Sequence, residues 1–361
     1  MKKFQIVTVL LAFVLTTHLF AFPELVRRGY GNCIVCHYSP TGGGLLTAYG
    51  RALTSEVLTA RGTPDEGQFL YGLFHLPEPV ALGGDFRFLG SIMNSSHGVA
   101  TNLIPMQMDL EAAATVGKFT VDATGGMDNN SNPISRRHYL IYKPTDELSF
   151  RAGRFMPAYG INTEDHALAI KQGIGQDQGA ETYNLEAAWL GENWNFYLTG
   201  IFGRPDNPNL GAETGASASA SLYFADRYKV GISYYYGYRP VATRQLMGPF
   251  AILGFTPHFF MLAELDFQWL STQGGLGSQW GPVDYVRLDY EVIQGLHFYL
   301  TQELSKLFIN YDPSYNDAYG IGVQFFPRPH YEINALYQKM RVGGSSAAFS
   351  DFLWCLAHVY L

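Results

Sequence analysis

Cys33, Cys36 and His37 are the chain's most concentrated set of reactive side chains, within the stretch GYGNCIVCHYSPTGGGLLTAYGR, Gly29 to Arg51. Their spacing is C-x-x-C-H. Two thiols so placed can add to the two vinyl groups of a haem, and the imidazole beside the second is held within reach of the iron. The motif therefore predicts one covalent haem c with His37 as the proximal ligand. Zinc would need two further ligands of suitable spacing, and beyond the pair only Cys355 and scattered histidines remain. A thioredoxin-type redox pair belongs in a βαβ setting, which this sequence lacks. Three cysteines in 361 residues also leave no disulfide framework.

Haem c is attached outside the cytoplasm, and the first residues predict export. Lys2 and Lys3, the apolar run Phe4 to Leu15 and small Ala21 have the three parts of a signal peptide, residues 1–21. The run is too short for a spanning helix, and no later stretch approaches twenty apolar residues. Residues 22–80 read as a small monohaem cytochrome c-like domain. Pro40 follows His37 by three residues, and LLTAYGRALTSEVLTARG predicts one short helix stopped by Gly62. Leu45, Leu46, Tyr49, Leu53 and Leu58 would cover a haem face.

Residues 81–361 read differently. Aromatics and charged residues each make up 15%, with 39 glycines, a mixture suited to lipid outside, water inside and aromatic girdles between. The net charge of −7 argues against nucleic-acid binding, which wants a basic face. From Leu82, segments of about ten residues alternate apolar and polar positions. Val286, Leu288, Tyr290 and Val292 would face lipid while Arg287, Asp289 and Glu291 face inward. Met106, Met108, Leu110 and Ala112 would likewise face out, opposite Asp109 and Glu111. About sixteen antiparallel strands are expected, with tight turns at Gly117, Lys143–Asp146, Gly191–Asn193, Ala225–Arg227, Thr256–His258, Gln294–Gly295 and Pro327–Pro329. Longer polar loops lie between, the longest at Pro157 to Ala180. Leu353, Cys355, Ala357, Val359 and Leu361 alternate to the last residue, which makes Cys355 a small apolar lipid-facing side chain. The fold class is thus an all-β transmembrane barrel, porin-like, with a small N-terminal α-helical haem c domain. Both termini would face the periplasm of a Gram-negative bacterium.

Two resemblances follow from these residues. FRAGRFMPAYGINTEDH, Phe150 to His166, resembles a segment of phosphate-selective-type porins at the strand before the third loop. Cys33, Cys36, His37, Pro40, Leu46, Thr47, Gly50 and Arg51, placed ahead of a porin barrel, resemble the fused cytochrome–porin family of outer-membrane iron oxidases. Gly42–Gly44 stand as an insertion against that pattern. The resemblance implies a haem site of Cys33, Cys36, His37, Pro40, Leu46 and Arg51, to which the helix reading adds Tyr49. It also implies electrons passing from an extracellular reductant such as Fe(II) to a periplasmic c-type cytochrome or similar carrier, an Fe(II):cytochrome c oxidoreductase activity.

Inward carboxylates suit a divalent donor: Asp109, Glu111, Asp122, Glu264, Asp266, Asp289, Glu291 and Glu303. His75, in the linker YGLFHLPEP, is nearest in sequence for the distal iron position; His97, His138, His166, His297, His358 and several methionines are alternatives. A second reading is an anion porin with structural haem, selecting through Arg151, Arg154 and Lys171. A third is a scaffold for a separate multihaem cytochrome, against which His37 counts.

Overall fold

The computed structural model describes residues 23–361 apart from 75, 97, 129–130, 164 and 274–276. The expected signal peptide, His75 and His97 lie outside the described residues.

From Val80 onward the chain is one closed antiparallel barrel. Its strands are β1 (Val80–Ser95), β2 (Gly98–Val116), β3 (Phe119–Met127), an interrupted β4 (Pro133–Ile134 and His138–Tyr142) and β5 (Leu148–Phe155). They continue with β6 (Thr182–Leu190), β7 (Trp194–Phe202), β8 (Thr214–Phe224), β9 (Tyr228–Arg239), β10 (Ala242–Gly254) and β11 (Phe259–Thr272). The last are β12 (Ser278–Ile293), β13 (Leu296–Lys306), β14 (Tyr315–Phe325), β15 (Tyr331–Val342) and β16 (Ser350–Tyr360). Both pieces of β4 pair with β3, so sixteen strands are present among the described residues. β16 closes the barrel on β1, from Asp85 opposite Tyr360 to Asn94 opposite Asp351. No free edge remains, as a barrel in lipid requires.

All seven expected turns sit on one rim, shared with both ends of the barrel chain. The opposite rim carries the longer connections, of which the third, L3 (residues 156–181), is the longest. Two connections on that rim are tight instead: β1–β2 across residues 96–97, and β9–β10 across Pro240 and Val241. There the strands run on as hairpins, and β1 and β2 reach 16 and 19 residues where about ten cross a bilayer.

Strand parity matches the sequence at most positions. Arg287, Asp289, Glu291 and His297 are buried, while Tyr290, Val292, Phe298 and Leu300 are exposed on the outer surface. Cys355 is exposed on that surface too. Met106 departs from expectation. The β1–β2 register slips between Arg87 and Phe88, which oppose Gln107 and Pro105, leaving Met106 in the bulge. It lines an interior cavity rather than facing out.

The lumen is not a plain aqueous channel. Val26 from the N-terminal segment, Tyr159, Ile161, Leu168, Ile170 and Ile174 from L3, and Leu246, Phe250, Ile252 and Phe260 from the wall bury one another. This hydrophobic core inside the barrel covers inward faces of β7 and β9–β12.

Candidate functional site

A 3-10 turn, Cys33–Val35, carries Cys33 and is followed directly by Cys36, its C-cap, and His37. The backbone N–H groups of Cys36 and His37 both donate to the Cys33 carbonyl, at 3.2 and 3.0 Å. An antiparallel bridge joins His37 to Leu46. Tyr38 N–H donates to Leu45 (3.1 Å), and Thr47 N–H to Cys36 (2.8 Å).

Each residue of the Leu-Thr-x-x-Gly-Arg segment has a part in holding this turn. Leu46 buries beside Cys36, Tyr30, Leu25 and Leu53. Thr47 caps helix α1 (Ala48–Leu53) by accepting from Gly50 N–H, and its hydroxyl donates to the Val35 carbonyl at 3.0 Å. Gly50 brings α1 against the turn so closely that a Cβ there would overlap the Cys36 carbonyl oxygen. Arg51 is buried, its guanidinium lowered in pKa by that burial, and it donates to the Leu82 carbonyl at the start of β1.

The expected helix to Gly62 is shorter than the sequence suggests. After Leu53 the chain widens over Thr54–Leu58, where Thr59 N–H reaches back five residues to Thr54. Thr54 and Ser55 both turn their hydroxyls to the Arg51 carbonyl, and Thr59 turns its hydroxyl to Ser55. Such bonds compete with regular helix pairing.

The whole segment sits inside the turn rim. Arg27 and Arg28 pair with Glu291 at 2.9 and 2.6 Å. Lys229 donates to the Gly31 carbonyl, Tyr197 to Pro40 and Arg151 to Ser39. His330, in the β14–β15 turn, sets Nδ1 2.7 Å from the Tyr360 carbonyl oxygen and Nε2 2.9 Å from that of Glu66.

Cys33 and His37 open on a cavity of about 300 Å³ between this segment, L3 and the wall. Leu46, Leu58, Phe155 and Phe326 supply apolar lining, and Arg137, Arg151 and Lys229 cationic lining. Burial pushes the Cys33 thiol up in pKa, and Lys229 opposes that. The residue types fit haem c, two thiols and an imidazole with apolar and cationic lining, but Cys36 is buried among Leu25, Tyr30, Leu46 and Leu53 and does not line the cavity, so it would have to turn outward to bind. The volume lies at the lower end of small-molecule sites, so a macrocycle would have to displace a wall. Gly42, Gly43 and Gly44 form the wall best able to give. All three have positive φ (79°, 71° and 67°), which favours glycine, and Gly42 lies against Cys33 Sγ.

Of the other expected site residues, Pro40 is buried but does not line the cavity, and Tyr49 is 47% exposed on α1. Among the described histidines His166 and His358 line the cavity with His37, whereas His138 and His297 do not. His138 contacts Tyr183 and His297 contacts Asp289. The inward carboxylates are largely committed: Asp109 to Arg136, Glu111 to Arg137 and Asp289 to Arg287 and His297. Among the described residues, no three His, Cys, Asp or Glu side chains form a metal-holding group. The cations named for anion selection are engaged as well: Arg151 with Glu186 at 2.8 Å, Arg154 with Glu181, and Lys171 with the Tyr159 carbonyl. Lys229 and Tyr197 were not singled out from the sequence; as isolated inward residues of alternating strands they carry no local motif.

No family model matches the chain, and no curated protein matches it. Solved structures do. OmpT of Vibrio cholerae, in a loop L8 deletion mutant, superposes with a TM-score of 0.63 at 12% identity, covering 78% of this chain and 99% of that one. The anion-selective porin from Comamonas acidovorans gives 0.61 at 10%, with 78% and 99% covered. The outer-membrane channel DcaP of Acinetobacter baumannii gives 0.55 at 10%, with 78% and 97% covered. The fold is that of an outer-membrane porin. At such identities the likeness concerns the barrel alone. Within this porin fold, the N-terminal segment and L3 pack on the inner wall of the lumen.

Proposed function

We propose that this porin-fold barrel is an outer-membrane monohaem cytochrome, carrying electrons between an extracellular donor, Fe(II) first, and a periplasmic c-type cytochrome or similar carrier. One observation carries the reading: Cys33, Cys36 and His37 share one turn, bound to the inner wall at the rim of tight turns. Cys33 and Cys36 would hold haem c covalently and His37 would hold its iron. The bound haem would supply a one-electron acceptor and donor. Leu46 and Leu58 would exclude water from it, Arg51 and Tyr197 would fix the turn, and Lys229 would sit beside a propionate. The turn rim would face the periplasm, since short turns belong on that side of bacterial barrels. Fe(II) would approach from the loop rim; of the inward carboxylates Asp109, Glu111, Asp289 and Glu291 are held in ion pairs, whereas Asp122, Glu264, Asp266 and Glu303 are in none among the described residues.

Haem-stained denaturing gels of the wild type and Cys36→Ala test attachment; bands of equal intensity would refute it. Stopped-flow mixing of the oxidised protein with Fe(II) tests the donor, and a spectrum that stays oxidised would remove Fe(II).

The anion-porin reading draws on the likeness to an anion-selective porin and on Arg136, Arg137, Arg151, Lys171 and Lys229 lining the inner cavity. The ion pairs of Arg136, Arg137 and Arg151 weaken that attraction. Conductance of the protein in planar bilayers separates the two readings.

A further inference from the structure

Outward aromatic side chains gather along the turn rim. Phe119 stacks on Tyr142, Trp189 meets Trp194 edge-on and Phe255 stacks on Phe259, with ring centroids 4.8, 5.2 and 5.3 Å apart. All six stand at or beside strand ends on that rim. Such a girdle lies where hydrocarbon meets headgroups. It thins at the seam of the barrel. β15 opens with outward Tyr331, but the outward residues after β16 turns back to this rim are Val359 and Leu361, and β1 opens with Val80, Ala81 and Leu82.

The N-terminal segment reaches the rim at this seam. Tyr71 donates to the Pro329 carbonyl in the β14–β15 turn at 2.9 Å, and its hydroxyl also meets that of Tyr331. Two backbone positions here are strained. Leu70 and Tyr71 take left-handed φ of 47° and 58°, which is costly for a residue with a Cβ. With Gly72 they form a turn after which Leu73 is 77% and Phe74 62% exposed. In water this conformation would carry strain and exposed apolar surface together. In lipid, burial of the two side chains offsets the strain.

We propose that Tyr71, Leu73 and Phe74 form a membrane anchor, completing the girdle at the seam and seating in the phospholipid leaflet beside the turn rim. Continuity decides the occupant: Tyr71 touches Tyr331, which is exposed on the barrel's lipid-facing surface with Ile333 above it. The charges beside Tyr71, Arg328 and Glu66, are paired with each other and leave the patch apolar. The anchor would tie the segment that carries Cys33 and His37 to the membrane. It needs no haem and stands apart from the electron-transfer reading.

Wild-type protein in nanodiscs doped with a phospholipid bearing an acyl-chain diazirine tests it, with photolytic adducts mapped by mass spectrometry. Adducts on Leu73 and Phe74 are expected within ~3-fold of those on the peptide carrying Tyr331 and Ile333, since both would lie at girdle depth. Leu73→Asp combined with Phe74→Asp should cut the segment's adducts at least ~5-fold, because carboxylates are expelled from hydrocarbon. Unchanged adducts at Tyr331 and unchanged heat-modified gel mobility would show that the variant barrel is folded. Labelling of Tyr331 without Leu73 or Phe74, or adducts undiminished by the two aspartates, would overturn the anchor. So would hydroxyl-radical oxidation of Leu73 and Phe74 in nanodiscs as fast as that of Tyr311 on the opposite rim, corrected for intrinsic reactivity, the result expected of a surface left open to a soluble partner.

Discussion

The Tyr197 hydroxyl donates to the Pro40 carbonyl at 2.9 Å, joining the inner wall at β7 to the loop that follows His37. Both partners are buried, so the bond has no water to replace it. Tyr197→Phe leaves the carbonyl unmet at a cost of about 1–3 kcal/mol. We expect amide-exchange protection of Tyr38 and of Leu45–Thr47 to fall while the strands stay protected. Uniform loss across the barrel would mean that Tyr197 supports the wall rather than the loop.

Gly50→Ala should destabilise the N-terminal segment, although alanine ordinarily favours a helix over glycine by about 1 kcal/mol. The added Cβ meets backbone, the Cys36 carbonyl, which cannot move without shifting the thiol turn. Alkylation of Cys36 by maleimide in haem-free protein, with Cys33→Ser and Cys355→Ser in the background, should speed up at least several-fold. An unchanged rate would show that α1 can slide away at no cost.

Much of this was legible in the sequence because it depends on local chemistry. The seven turns could be placed from Gly, Pro, Asn and Asp between alternating runs, and the strand faces from parity alone. The C-x-x-C-H turn was legible for the same reason. Parity could not reveal the bulge at Met106, since one extra residue reverses facing without changing the pattern on either side. Nor could it tell an inner face that meets water from one that meets protein. Phe250, Ile252 and Phe260 are apolar because L3 and Val26 cover them, a contact between residues more than fifty positions apart. The shortened helix was hidden because Thr54, Ser55 and Thr59 act through side-chain bonds that helix periodicity does not register.

His330 links the N-terminal segment to the closing strand. Besides its contacts to the Tyr360 and Glu66 carbonyls, its ring meets Tyr71 edge-on, with centroids 4.9 Å apart and planes at 83°. Tyr71 in turn donates to the Pro329 carbonyl at 2.9 Å. His330→Ala removes the contacts to the Tyr360, Glu66 and Gln68 carbonyls and the ring contacts to Tyr71 and Tyr360. Trypsin should then cut after Arg61 at least several-fold faster, with cleavage elsewhere unchanged. Equal rates would show that the segment is held by Arg27 and Arg28 on Glu291 instead.

L3 should be seated more firmly in acid. Burial raises the pKa of the Asp165 carboxyl, against the pull of Ala167 N–H, His166, Arg287 and Arg87. An acid whose folded value lies above its free value binds its proton more tightly in the folded loop. Its contribution to seating is therefore complete below the ordinary carboxylate pKa, about 4, and is lost as pH rises through the raised value. Amide exchange in residues 165–175, corrected for intrinsic rates, should show protection falling from about pH 4 towards neutrality. Glu264 and Glu303 also touch L3, at Ile161 and Ala169, and their titration would add to the wild-type profile. The difference between wild type and Asp165→Asn isolates the one group: the variant should lose part of the pH dependence and approach the acid-side protection at neutral pH. Identical profiles in the two proteins would assign the effect to the wall carboxylates.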